Sequence, residues 1–79
     1  MDFRLLGEMI RFHRKESGLS QEELGKLAQV GKTTVFDIEH GKLSIGFNNI
    51  IKILEVLNIK IHFSSPLMKL FEEKMNEKG

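Results

Sequence analysis

Four side chains with different bonding chemistry lie within residues 32–37 of the chain: Lys32, Thr33, Phe36 and Asp37. At helical spacing they share one outward side of a short helix. An ammonium group donates to guanine acceptors, a hydroxyl group donates or accepts, and a carboxylate accepts from the cytosine amino group. The Thr methyl group and the Phe ring suit contact with a thymine methyl group. This pattern indicates recognition of base edges in the DNA major groove.

The helix that carries these side chains is the third of three short predicted helices, over residues 3–17, 21–28 and 32–40. Gly18 ends the first helix, and Gly41 ends the third. Ser20 and Glu23 have the spacing of a capping box at the start of the second helix. Two short helices joined by a tight turn, the second of them polar on its outer side, form the arrangement that places a recognition helix in the major groove.

The following segment predicts a fourth helix and a strand. An apolar-rich run ends at Leu57, with Asn48 near the start of its helix. Ile59, Ile61 and Phe63 then alternate with polar residues, which is typical of a strand. A lone strand leaves its backbone groups unpaired, and the chain has no second strand candidate. We therefore expect the strand 59–63 to pair with the same strand of a second subunit, antiparallel about a two-fold axis, so that the chain is a homodimer.

The composition argues against several classes of protein. The chain has no Cys and three scattered His, so we expect neither a metal site nor a cofactor. No nucleophile with its base and no glycine-rich phosphate loop is present, which argues against an enzyme. No apolar stretch reaches the roughly 18 residues of a membrane span, and the N-terminus lacks the layout of a signal peptide. We expect a cytoplasmic protein with no membrane partner.

The net charge of +1 gives no general attraction to phosphate. Basic and acidic residues are balanced in positions 1–42, which hold the predicted recognition helix. The DNA hypothesis therefore depends on where particular residues fall. An alternative from a different class is a protein-interaction module that has kept the fold and lost its affinity for DNA.

A recurrent pattern surrounds the two short helices: Gly18-Leu19-Ser20-Gln21-Glu22-Glu23-Leu24, then Ala28, Val30, Thr34, Val35, Ile38, Glu39 and Gly41. This pattern resembles the phage-repressor-like (Cro/C1, xenobiotic-response-element) helix-turn-helix family over roughly residues 6–57. The segment Gly41-Lys42-Leu43-Ser44, followed by a helix and the strand 59–63, is most similar to HipB-type antitoxins. The resemblance implies a mainly α, lambda-repressor-like domain of four to five helices whose C-terminal strand pairs across a dimer.

The same resemblance implies roles for further residues. Phosphate contacts are expected from Gln21, Thr34, Lys42, Asn48 and Asn49, and such contacts position a protein without specifying sequence. Arg14 and Glu39 are expected to form an internal ion pair between the first and third helices. Two alternatives stay open on the recognition helix itself. Phe36 either contacts DNA or packs against the first helix or a dimer partner, and Asp37 either contacts a base or pairs locally with a lysine.

The predicted function is repression of transcription at palindromic operator DNA by a homodimer. The resemblance implies a HipB-like antitoxin that represses its own operon and binds a HipA-like serine/threonine kinase toxin. A phage or plasmid repressor without a toxin partner is the alternative within DNA binding. We expect residues 1–65 to form the DNA-binding domain and residues 66–79 an amphipathic tail, which is either solvated or a helix that docks on a partner.

Overall fold

The computed structural model describes residues 2–78 and shows a mainly α fold. The five α-helices are α1 (Phe3–Glu16), α2 (Gln21–Ala28), α3 (Lys32–Glu39), α4 (Phe47–Val56) and α5 (Met68–Lys78), and a short 3₁₀ turn, Leu43–Ile45, precedes α4. The predicted fold class is confirmed in its helical part, and the first three helices begin where the sequence predicts. Met1 and Gly79, the outer ends of the two predicted regions, lie outside the described residues. Within 2–78, no helix combines the length and the apolar character that a membrane crossing requires.

At the starts of α1 and α2, side chains accept hydrogen bonds from the first backbone N–H groups. The Asp2 carboxylate accepts from the Arg4 N–H at 2.9 Å. The Ser20 hydroxyl accepts from the Glu23 N–H at 3.0 Å, and the Glu23 carboxylate accepts from the Ser20 N–H at 2.9 Å, which completes the capping box. The hydrogen bond that the Glu23 carboxylate accepts from the Ser20 backbone N–H holds the pKa of Glu23 below its usual value. The ionised carboxylate therefore stabilises the fold fully at a pH above the ordinary pKa of a glutamate. This stabilisation is lost as the pH falls through the lowered pKa of the folded state.

The helices α1 to α4 end in the same way, with one residue in the left-handed backbone conformation. These residues are Gly18, Gln29, Gly41 and Asn58, with φ angles of 72°, 60°, 77° and 57°. At the end of α2, the Val30 N–H donates to the Gly25 carbonyl at 2.9 Å and the Gln29 N–H donates to the Lys26 carbonyl at 3.3 Å. This is the Schellman arrangement, which satisfies the last carbonyl groups of a helix.

Replacing Gln29 by glycine is expected to raise the free energy of unfolding by about 0.5–1 kcal/mol. Gln29 has a Cβ in the left-handed region, where an L-residue is strained and glycine is not. Urea denaturation measures the change. Gln29→Ala is the matched control, because it removes the same side chain but keeps the Cβ. A glycine variant no more stable than the alanine variant would show that the strain is absent.

The core lies between the first four helices. Its buried apolar side chains are Ile10, Leu24, Ala28, Val35, Ile38, Ile53, Leu54 and Leu57. The main packed helix pairs among the described residues are α2 with α3, α2 with α4, and α1 with α3. By helical spacing Leu24, Leu27 and Ala28 share one side of α2, but only Leu24 and Ala28 are buried, and Leu27 is 60% exposed. An eight-residue helix buries only a narrow stripe, and Leu27 lies at the edge of that stripe.

Neither a helix nor a strand forms in the described chain over residues 59–65, between α4 and α5. The strand predicted from Ile59 to Phe63 is thus not formed within one chain. The physical reason is that a strand exists only through hydrogen bonds to a neighbouring strand, and the described residues 2–78 contain no second one. The segment nevertheless starts in a fixed position, because the Ile59 N–H donates to the Leu54 carbonyl at 2.9 Å.

Candidate nucleic-acid interface

Helix α3 has a buried side and an exposed side. Val35, Ile38 and Glu39 are buried against the rest of the domain. Lys32 and Thr33 are exposed at the start of the helix, and Phe36 is 47% exposed one turn later. A tight turn that begins at Gln29 joins α2 to α3. The two helices and this turn have the arrangement of a helix-turn-helix, with one side of α3 at the surface.

A buried ion pair ties α3 to α1. Arg14 Nε donates to Glu39 Oε2 at 2.6 Å, and Arg14 Nη2 donates to Glu39 Oε1 at 3.1 Å. The third guanidinium nitrogen, Nη1, donates to the Leu19 carbonyl at 2.9 Å. The Glu39 side chain is fully buried, and the Arg14 side chain is 9% exposed. The bidentate geometry fixes both the distance and the orientation of the two helices.

The same carboxylate also holds the first residue of α2. Gln21 Nε2 donates to Glu39 Oε1 at 3.2 Å. An amide nitrogen carries two N–H groups, so one remains for another acceptor. Gln21 is partly exposed. Glu39 therefore positions Gln21 as well as α3, a link that the sequence did not predict.

Helices α1 and α3 approach each other closely at Gly7. A Cβ built on Gly7 would lie 2.5 Å from the Ile38 carbonyl oxygen and 2.6 Å from the Glu39 carbonyl oxygen. Both atoms belong to the backbone of α3, so a larger residue would have to move the helix. Gly7 and the Arg14–Glu39 pair thus fix α3 at two levels along α1.

Asp37 and Phe36 each have a partner within the chain. Lys42 Nζ lies 3.5 Å from Asp37 Oδ2, in an ion pair whose lysine is exposed and whose aspartate is partly buried. The Phe36 ring stacks on the His40 ring with centroids 4.0 Å apart. His40 Nδ1 donates to the Phe36 carbonyl at 2.8 Å, which leaves Nε2 available. His40 follows Phe36 by one helical turn, directly after the last residue of α3, and is not among the site residues predicted from the sequence.

The remaining predicted phosphate contacts lie on α3 itself and on α4. Thr34 is partly buried at the start of α3, and Asn48 is exposed in the first turn of α4. Asn49 Nδ2 donates to the Ile45 carbonyl at 3.0 Å, so one of its amide N–H groups is used by the backbone. No group of three or more His, Asp or Glu side chains within residues 2–78 is placed to hold a metal ion.

Residues 10–63, which include α2, α3 and α4, match the helix-turn-helix family HTH_3. The chain belongs to the helix-turn-helix family. This is a family of DNA-binding regulators. An HTH-type transcriptional regulator of Sinorhizobium fredii, itself uncharacterized and designated y4mF, is 33% identical over 61 residues, which cover 77% of this chain and 80% of that protein. The ImmF control region 10 kDa protein of Bacillus phage phi105 is 28% identical over 79 residues, which cover 100% of this chain and 83% of that protein.

The family membership agrees with the resemblance to phage-repressor-like regulators. The match includes residues 59–63, the segment predicted to pair across a dimer. Neither of these two relatives is described as an antitoxin. Membership of the family therefore does not confirm the narrower similarity to HipB-type antitoxins.

Proposed function

We propose that the chain is a dimeric, sequence-specific transcriptional repressor that inserts α3 into the major groove of operator DNA. The observation that carries this proposal is the division of α3. One side is fixed in the core by Val35, Ile38 and Glu39, and the other presents Lys32, Thr33 and Phe36 to the surface. A rigid helix with exposed donors at its N-terminal end is what base recognition by a helix-turn-helix requires.

The exposed residues of α3 have separate roles in this proposal. Lys32 donates to guanine acceptors, Thr33 bonds a base or touches a thymine methyl group, and Phe36 packs on thymine methyl groups. The stack with His40 holds the Phe36 ring in one orientation. Asp37 pairs with Lys42, which competes with a contact to a cytosine amino group. We therefore assign Asp37 the role of placing Lys42 beside a phosphate.

The phosphate contacts come from both sides of α3. Gln21 uses the amide N–H that Glu39 leaves available, and Asn48 approaches the backbone from α4. Thr34, Lys42 and Asn49 complete this set. Since the net charge is only +1, these local contacts and not a general positive field supply the affinity.

A dimer supplies the symmetry of the operator. Ile59 is half-buried against the core, whereas Ile61 and Phe63 are 40% and 74% exposed. Pairing of residues 59–63 between two copies would cover these apolar side chains and satisfy the backbone groups. The two copies of α3 would then read a palindromic site with half-sites about one helical turn apart, roughly 10 base pairs or a multiple of it.

Lys32→Ala and Gln21→Ala are expected to weaken DNA binding in different ways. Lys32→Ala should lose about 1–3 kcal/mol of discrimination at one base pair, because it removes a base contact. Gln21→Ala should weaken binding to all sequences alike, because it removes a phosphate contact. Fluorescence anisotropy titrations with operator DNA and with single-base variants measure both. Lys15→Ala, on an exposed position of α1, is the control. Uniform losses across all DNA variants for both substitutions would sink the assignment.

Two biological settings fit such a repressor. Control of a phage or plasmid operon is favoured by the ImmF control region protein, because that similarity covers the whole chain and not only the helix-turn-helix. The HipB-like antitoxin role with a HipA-like kinase stays a prediction from the resemblance. It requires a kinase gene beside the gene of this chain, and co-purification of the two products.

A further inference from the structure

The domain has an apolar groove that none of the described residues 2–78 fills. Helices α1 and α4 and the segment after α4 enclose a volume of about 330 Å³. Its walls are almost wholly apolar and include Phe3, Met9, Phe47, Ile50, Ile61 and Phe63. Phe47 and Phe63 are 63% and 74% exposed. We refer to this volume as the α1/α4 groove.

Helix α5 has an apolar stripe that is equally uncovered. Leu67, directly before the helix, and Leu70, Phe71 and Met75 within it are all exposed and recur at helical spacing. The radius of gyration is 15.2 Å, against about 12 Å for a compact chain of this length. Residues 69–77 of α5 are all exposed, and we therefore attribute the excess to a helix α5 that stands away from the core. An eleven-residue helix is marginal in water by itself, so its apolar stripe needs a partner surface.

The two apolar surfaces are continuous through Phe63. This ring lines the α1/α4 groove and also a second apolar hollow at the start of α5, which Leu67, Met68 and Phe71 share. Antiparallel pairing about a two-fold axis at Ile61 sets Phe63 of one copy opposite Ile59 of the other. In such a pair, the chain after Phe63 would run toward the end of the other copy's α4. Because Ile59 is part of the wall of the α1/α4 groove, this pairing would bring α5 of one copy toward the groove of the other.

We propose that α5 of each copy docks its apolar stripe into the α1/α4 groove of a second copy of this chain, so that the dimer is held by exchanged helices as well as by the paired segment 59–63. This inference rests on the dimer of the proposed function. A chain of 79 residues buries a small core, and a partner's helix would add the apolar burial that the single domain lacks. The exchange covers both unpartnered surfaces at once.

Site-directed cross-linking tests the exchange directly, because the natural chain contains no cysteine. One full-length protein carries Phe47→Cys in the groove, and a second, made larger by a fused tag, carries Leu70→Cys on the apolar stripe of α5. The mixed proteins are treated with a short bismaleimide. The expected result is a cross-linked product of the two different sizes. The control replaces Leu70→Cys by Asn76→Cys, on the opposite side of α5, and should give several-fold less of this product.

A single protein with both Phe47→Cys and Leu70→Cys identifies the occupant of the groove. Cross-linked dimers are expected. A product that remains monomeric would show that α5 folds into its own groove, and equal yields for Leu70→Cys and Asn76→Cys would show that α5 has no preferred side. Either result would overturn the proposal.

Sedimentation equilibrium without DNA provides a second measurement. The variant L70E/F71E should raise the dimer Kd by about a hundredfold or more, since it removes two apolar anchors. Lys69→Glu adds the same negative charge on the opposite side and should leave the Kd within a few-fold of the original. Equal effects would contradict the exchange. If the dimer binds DNA and L70E/F71E leaves its Kd unchanged, the exchange alone is refuted. If the exchange is confirmed and the dimer does not bind DNA selectively, only the proposed repressor is refuted.

Discussion

Replacing Glu39 by alanine is expected to lower the free energy of unfolding by about 3–5 kcal/mol. The substitution leaves the Arg14 guanidinium buried with only the Leu19 carbonyl as an acceptor. Total stabilities of small domains lie at about 5–15 kcal/mol, so the loss would leave a large unfolded fraction at physiological temperature. Urea denaturation at several temperatures, followed by circular dichroism, measures it.

The double variant Arg14→Met with Glu39→Leu separates the cost of an unpaired charge from the value of the pair. We expect it to recover much of the stability, because apolar residues of similar size replace both charges. Lys26→Ala is the matched control: its ion pair with Glu22, at 3.6 Å, is exposed, and its loss should change the stability little. If Glu39→Ala behaved like Lys26→Ala, the buried pair would not hold α1 to α3.

Replacing Gly7 by alanine is expected to destabilise the domain by about 2 kcal/mol. Helix propensity alone would predict the opposite effect, a stabilisation. In a helix interior, alanine is more favourable than glycine by about 1 kcal/mol. Here the new Cβ would meet two α3 carbonyl oxygens at 2.5 Å and 2.6 Å, and overpacking of this kind costs about 1–3 kcal/mol or more. The shift of α3 should also weaken DNA binding at temperatures where the variant is still folded.

Thermal unfolding and a DNA titration of the same Gly7→Ala sample measure the two effects together. Glu8→Ala is the control, since Glu8 is the next residue of α1 and is exposed. It should change the stability by no more than about 0.5 kcal/mol. A Gly7→Ala variant more stable than the original chain would contradict the close approach of α1 and α3.

The helix boundaries were predictable because they depend on neighbouring residues. The capping box of Ser20 and Glu23 and the glycines after α1 and α3 act over a few positions, and each lies where the sequence places it. The exposed side of α3 followed from helical spacing alone. The family pattern, and not spacing, pointed to Arg14 and Glu39, which are far apart in the sequence and meet in the core.

Features that depend on distant segments were less predictable. The bond from Gln21 to Glu39 and the stack of Phe36 on His40 need the packed fold. The α1/α4 groove joins three separate parts of the chain, so no local pattern reveals it. The start of α4 is at Phe47, one residue before Asn48, which the sequence places near it; the preceding Gly46 provides no capping side chain that would mark the exact position. The predicted strand 59–63 differs in kind, since the described residues 2–78 contain no second strand with which its backbone could pair.

The measurement that tests the central claim most directly is a titration of the chain against its own upstream promoter DNA and against a scrambled sequence of the same composition, at two salt concentrations. We predict tight binding by a dimer that prefers the promoter at both concentrations, and a loss of affinity at the higher one that is shared by the two DNAs. Weak and equal binding to both sequences would contradict a sequence-specific repressor and favour a protein-interaction module that has kept the fold.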